Sequence, residues 1–75
     1  MLFERVKSII EKKVNINGTE ITPEASLIGE LGINSLDLVE LICAFEVEFD
    51  IVVPEKDIRK FSKVQDIVAY LEARQ

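Results

Sequence analysis

The chain has no histidine and no tryptophan, one cysteine, two prolines and three glycines among its 75 residues. Without histidine, Ser8, Ser26, Ser35 and Ser62 lack the usual base that would make a hydroxyl nucleophilic. Zinc loses its commonest ligand as well, and Cys43 stands alone, so neither a structural metal nor an intramolecular disulfide is expected. No apolar run approaches the roughly 20 residues that a membrane span needs. The stretch from Met1 to Lys13 alternates charged and apolar residues and has no signal-peptide core. Together with a free cysteine, that leads us to expect the cytoplasm.

Positive charge is also missing from a specific place. From Val14 to Glu55 there is no Lys or Arg, while nine acidic residues fall there: Glu20, Glu24, Glu30, Asp37, Glu40, Glu46, Glu48, Asp50 and Glu55. All nine basic residues lie in the flanks, within a net charge of −5. Such a field repels nucleic acid and anionic membranes and attracts basic protein surfaces. Acidity could simply keep a small domain in solution, but its confinement to the middle of the chain favours docking.

Hydrophobic residues make up 48% of the sequence, enough for a folded domain. The length fits a single domain, 1–75, that buries only about 60% of its unfolded surface. With no staple available, the core has to come from patterned helices. Residues 2–14 read as an amphipathic helix, with Leu2, Val6, Ile9 and Lys13 along one line and Phe3, Ile10 and Val14 beside it. Asn15 to Gly32 reads as a long loop, marked by Asn17-Gly18 and Thr22-Pro23. Leu27, Ile28, Leu31 and Ile33 are expected to plug it onto the core, and Ser26 to Gly32 has room for one short turn.

Residues 35–49 form the best-defined helix, with Asn34 or Ser35 as its N-cap and Asp37 in its first turn. Leu38, Leu41, Ile42, Phe45 and Phe49 share one arc, the expected core face. Ile51-Val52-Val53-Pro54 reads as an extended loop with its apolar side chains turned inward. Glu55 to Phe61 is expected to form a short helix, and Ser62 to cap a last helix over 63–73. The expected fold is therefore all-α: three main helices and one short one, with the long loop between the first and second.

The central helix carries a second apolar stripe. Leu36, Val39, Cys43 and Val47 recur at helical spacing, nearly opposite the core arc. Asp37 and Glu40 border it on one side and Glu46 on the other. An acidic-rimmed apolar stripe is a candidate partner surface. The competing reading, that neighbouring helices cover both faces, carries equal weight for Val39 and Cys43, whereas Leu36 and Val47 are expected to be exposed. Asp37 with Glu40 reads as a solvated helix face rather than a catalytic pair.

Asn34-Ser35-Leu36, the acidic helix after it, and Val64-Gln65-Asp66-Ile67-Val68-Ala69-Tyr70-Leu71 together resemble the acyl carrier protein family. The likeness extends through Glu46-Val47-Glu48-Phe49 and Ile51-Val52-Val53-Pro54-Glu55, and so covers nearly the whole chain. It implies a non-enzymatic carrier whose Ser35 receives 4'-phosphopantetheine from coenzyme A. A phosphopantetheinyl transferase performs that step, and the arm then holds acyl groups as thioesters for fatty-acid or polyketide synthesis. The implied partners are that transferase and synthase enzymes with basic docking surfaces; a monomer is expected. Asn34, Ser35 and Leu36 would form the attachment motif, and Asp37, Val39, Glu40, Cys43, Glu46 and Val47 the docking face.

Two positions depart from the family pattern. Asn34 stands in place of the motif's aspartate, keeping the cap and removing a charge. Val47 stands where glutamate is common, making the docking face more apolar. Two other readings remain open: an aminoacyl or peptidyl carrier, and an unmodified helical interaction module in which Ser35 is only an N-cap.

Overall fold

A computed structural model describes residues 2–74. Four α-helices follow in order: α1 (Leu2–Val14), α2 (Ser35–Phe49), α3 (Glu55–Ile58) and α4 (Val64–Glu72). A 3-10 turn at Gly18–Glu20 interrupts the long loop. The described residues contain no strand, only one isolated antiparallel bridge between Ser26 and Lys63. The all-α expectation therefore holds, and α1 and α2 have the expected bounds.

The helix periods account for the packing. α1 buries Val6 and Ile10, four residues apart, while Leu2, Phe3, Ile9 and Val14 pack at the edge of the core. It lies against both α2 and α4. Asn15 ends it in the left-handed region at φ 52°, which asparagine tolerates better than most residues. α2 buries Leu38, Leu41, Ile42 and Phe45, and Phe49 packs partly buried against the same cluster. The Arg5 guanidinium pairs with Glu48 at 3.0 Å and lies 4.5 Å from the Phe49 ring centre, linking α1 to the far end of α2. The core is a single cluster, and among the described residues no polar residue is buried in it.

Backbone bonds stitch the long loop to the start of α4. Leu27 N–H donates to the Ser62 carbonyl at 2.9 Å; Val64 and Gln65 N–H donate to the carbonyls of Ala25 and Pro23 at 3.1 and 2.9 Å. Ile21, Ala25, Leu27 and Ile33 are buried beneath it. The expected turn is present, with the amides of both Glu30 and Leu31 donating to the Ser26 carbonyl. Ile28 departs from its expected place, being 59% exposed. It follows Leu27 directly, and when Leu27 points into the core its neighbour on the turn points out.

The same alternation corrects the reading of the next loop. Val53 is buried and Ile51 partly so, but Val52, between them on extended backbone, is 79% exposed. α3 stops at Ile58, short of Phe61, as Lys60 and Phe61 N–H turn back to the carbonyls of Asp57 and Ile58. None of its residues is buried. The cap of α4 is Lys63, not Ser62. The Asp66 carboxylate does the capping, accepting from Lys63 N–H at 2.9 Å, Ser62 N–H at 3.0 Å and the Ser62 hydroxyl at 3.1 Å. These bonds to the charged form hold the Asp66 carboxyl below its ordinary pKa.

α3 is fastened to α4 by side chains. The Tyr70 hydroxyl donates to Asp57 at 2.8 Å, the Phe61 ring meets Tyr70 edge-on at 5.2 Å, and Arg74 stacks 3.6 Å over the Tyr70 ring. The Tyr70 bond, then Lys60 at 3.6 Å among the neighbouring cations, hold the Asp57 carboxyl below its ordinary pKa. Desolvation, then the bond to Asp57, pushes the Tyr70 hydroxyl up.

Candidate functional site

The chain enters α2 through Gly32, at φ 69°, a conformation that costs glycine little and other residues more. Asn34 follows as the N-cap, its side-chain oxygen accepting from Asp37 N–H at 2.7 Å. The Asn34 carbonyl accepts from Leu38 N–H at 2.9 Å, the first bond of the helical ladder. Ser35 is therefore the first helical residue rather than the cap. Its side chain is exposed, and its hydroxyl bonds to no described residue.

Two groups of amides meet the helix start differently. Asp37 N–H is taken by the cap, while the amides of Ser35 and Leu36 precede the ladder and have no helical acceptor. Donors at the positive end of a helix favour an anion on the Ser35 oxygen. Among the described residues no side chain is hydrogen-bonded to the hydroxyl as an activating base would be.

Ser35 opens onto a cavity of about 300 Å³ between α2 and α3. Ile28 from the long loop, Leu38 and Val39 from α2, and Ile58 and Phe61 from the α3 side make it largely apolar. Glu55 and Arg59 add one charge of each sign. Ile28 and Arg59 had no place in the site read from sequence. Their signal was available, an isoleucine next to a buried leucine and a cation one turn after Glu55, but their nearness to Ser35 is a product of tertiary packing.

The second stripe of α2 is on the surface. Leu36 is 68% and Val47 84% exposed, and Val39 and Cys43 are exposed as well. The uncertainty over Val39 and Cys43 thus resolves towards exposure. Val39 faces two ways, contributing to the cavity wall as well as the stripe. Glu40 is exposed and Asp37 half-buried. Glu46 also stands partly buried at the rim, and its carboxylate accepts from Val53 N–H at 2.7 Å, holding the loop after α2. Beyond Glu46, Val47 joins Ile9, Lys12 and Lys13 of α1 around a second groove.

An exposed hydroxyl at a helix start, free amides and an adjoining apolar cavity fit a covalently attached phosphate-linked arm. The family described as "Phosphopantetheine attachment site" matches residues 4–71. The chain belongs to this family of acyl carrier proteins. It is similar to the acyl carrier protein of Clostridium acetobutylicum, 51% identical over 73 residues, which cover 97% of this chain and 95% of that protein. To the acyl carrier protein of Thermotoga maritima it is 47% identical over 73 residues, covering 97% and 90% of the two chains. The Helicobacter pylori acyl carrier protein is 41% identical over 71 residues, covering 95% and 91%.

Membership makes the chain a carrier of acyl groups in fatty-acid biosynthesis, dependent on covalent 4'-phosphopantetheine, and not an enzyme. It also implies dealings with a phosphopantetheinyl transferase and with synthase enzymes. Among the described residues, no helix is long and apolar enough to cross a membrane.

Proposed function

We propose that Ser35 is where the arm is attached, with Asn34 and Leu36 framing it. The observation that carries this is the exposed, unpartnered Ser35 hydroxyl at the mouth of the apolar cavity. In the attachment step the Ser35 oxygen bonds to the pantetheine-side phosphorus of coenzyme A. The pyrophosphate P–O bond breaks, adenosine 3',5'-bisphosphate leaves, and the hydroxyl proton passes to the transferase, since none of the described residues is hydrogen-bonded to the hydroxyl to receive it. Once attached, the arm supplies a terminal thiol that holds acyl groups as thioesters.

The chain's own residues do the rest. The amides of Ser35 and Leu36 face the new negative charge. Leu38, Val39, Ile58 and Phe61 line the space into which an acyl chain can withdraw from water. Asp37, Glu40 and Glu46 meet basic groups on the transferase and synthase enzymes, with Val39, Cys43, Leu36 and Val47 as the apolar part of the contact. Keeping that stripe for partners suits a monomer, and the exposed thiol of Cys43 suits a reducing compartment such as the cytoplasm.

The test is intact mass after incubation with coenzyme A and a phosphopantetheinyl transferase. The wild-type chain gains one arm and Ser35→Ala gains none; a gain in Ser35→Ala, or none in wild type, overturns the assignment. An aminoacyl or peptidyl cargo is the second reading, and the apolar cavity walls favour an acyl chain over it. Identifying the thioester recovered from cells separates the two.

A further inference from the structure

Arg59 brings a positive charge to the cavity that opens at Ser35, and among the described residues lining that cavity it is the one cation. No acidic side chain of the described residues lies within ion-pair distance of it; Lys60 and Arg74 pair with Asp57, and Arg5 with Glu48. Glu55, four residues earlier, lines the same cavity without reaching it. The surroundings of Ser35 are otherwise acidic, because the sequence supplies no cation between Val14 and Glu55. A phosphodiester on Ser35 would add negative charge beside Asp37 and across from Glu55.

We propose that Arg59 pairs with the phosphodiester of the attached arm, an inference that rests on Ser35 being the attachment point. A guanidinium presents a planar fork of donors that matches two phosphate oxygens at once. The helix-start amides approach the phosphate from α2, and Arg59 approaches it from the α3 side of the cavity. Attachment therefore ties α3 to α2. α3 has no buried residue, so it is the wall that gains most from a new contact. The arm is anchored by its root, while its thiol end stays free to travel.

The experiment compares apo and holo protein in wild type, Arg59→Gln and Arg59→Lys, after intact mass has established full loading of each holo sample. Hydrogen exchange is followed at the amides of Asp57, Ile58, Lys60 and Phe61, whose backbone bonds exist only while α3 and its turn are closed. In wild type, exchange is slower in holo than in apo protein by about twofold to fivefold, the scale of an exposed ion pair. The holo-to-apo ratio collapses to unity in Arg59→Gln and is partly kept in Arg59→Lys. The Arg59 Nε–Hε resonance shifts on attachment, in low salt more than in high.

An equal ratio in wild type and Arg59→Gln overturns the proposal, because a merely structural role for Arg59 changes apo and holo alike. So does an effect that appears only when the arm carries a carboxylate-bearing acyl group, which would make the cargo the partner. Absence of any mass gain at Ser35 removes the attachment reading and this one together. A mass gain with no coupling to Arg59 removes this one alone.

Discussion

The two faces of α2 use nearly the same residue types for opposite ends. Leu38, Leu41, Ile42 and Phe45 are buried, whereas Leu36, Val39, Cys43 and Val47 stand in solvent on the same 15-residue helix. Hydrophobicity alone does not distinguish them. What does is the 100° step of the helix: among the described residues no other element covers the outer face, which α1 and α3 only border at Val47 and Val39. The inner face holds a small domain together. On the proposed function the outer face, edged by acidic side chains, is the surface for other proteins, and exposed apolar area has a cost in solubility that such a role would justify.

The sharpest way to break this contrast is to truncate one residue on each face. Phe45→Ala removes a fully buried ring and is expected to cost about 3–5 kcal/mol, enough to unfold most of a 75-residue domain, read as urea denaturation. The next effect lies at the helix start, where the faces meet. Asn34→Ala removes the acceptor for Asp37 N–H and is expected to cost about 1 kcal/mol, whereas Asn34→Asp keeps the cap and leaves stability nearly unchanged. Loss of the same amount in both variants would mean that the side chain acts through something other than capping.

Acid titration gives a smaller effect. Asp66 and Asp57 have lowered carboxyl pKa values in the folded chain, so their unfolded forms bind protons first as pH falls. Their contribution to stability is present above the ordinary carboxylate value of 3.8 and is lost as pH drops below it through the lowered values. Asp66→Asn should flatten the stability profile in that range. A profile as steep as wild type would place the acid sensitivity elsewhere. Tyr70, with its pKa raised above 10.0, loses its contribution at the alkaline end instead, as pH rises through the raised value.

The smallest stability change is expected from Val47→Ala, within about 0.5 kcal/mol by the same denaturation. On binding, Val47→Glu sharpens the comparison. Affinity for the transferase should fall more steeply with ionic strength in the variant than in wild type, because a charge replaces an apolar contact. Equal slopes would mean that the outer face works by charge alone.

Most of the fold was legible in the sequence because its long helices carry strong periods. The bounds of α1 and α2 and the inner arc of α2 follow from the 3.6-residue repeat. The failures have a shared cause. Ile28 and Val52 are apolar residues in short non-helical segments, where composition says "bury" but backbone direction decides. Ser62 has the chemistry of a cap, yet Asp66 caps the helix from three residues inside it. Glu46 reads in the sequence as part of the docking face, and its bond from Val53 N–H, seven residues on across the turn after α2, has no local signal. Ser35 was legible through its motif and helix start, but the cavity beside it was not. Its walls come from the long loop, α2 and the α3 side, and no local pattern announces that they meet.

A four-residue helix with nothing buried has a consequence for access. α1, α2 and α4 all bury residues in the core, so opening any of them approaches the cost of unfolding the whole domain. α3 is held by the partly buried Ile58 and by the Asp57–Tyr70 bond, beside the buried Phe61 ring that follows it. Of the two walls around the same space, α3 is therefore expected to open at lower cost than α2. On the proposed function, that makes α3 the side past which a carried chain would enter and leave without the domain unfolding.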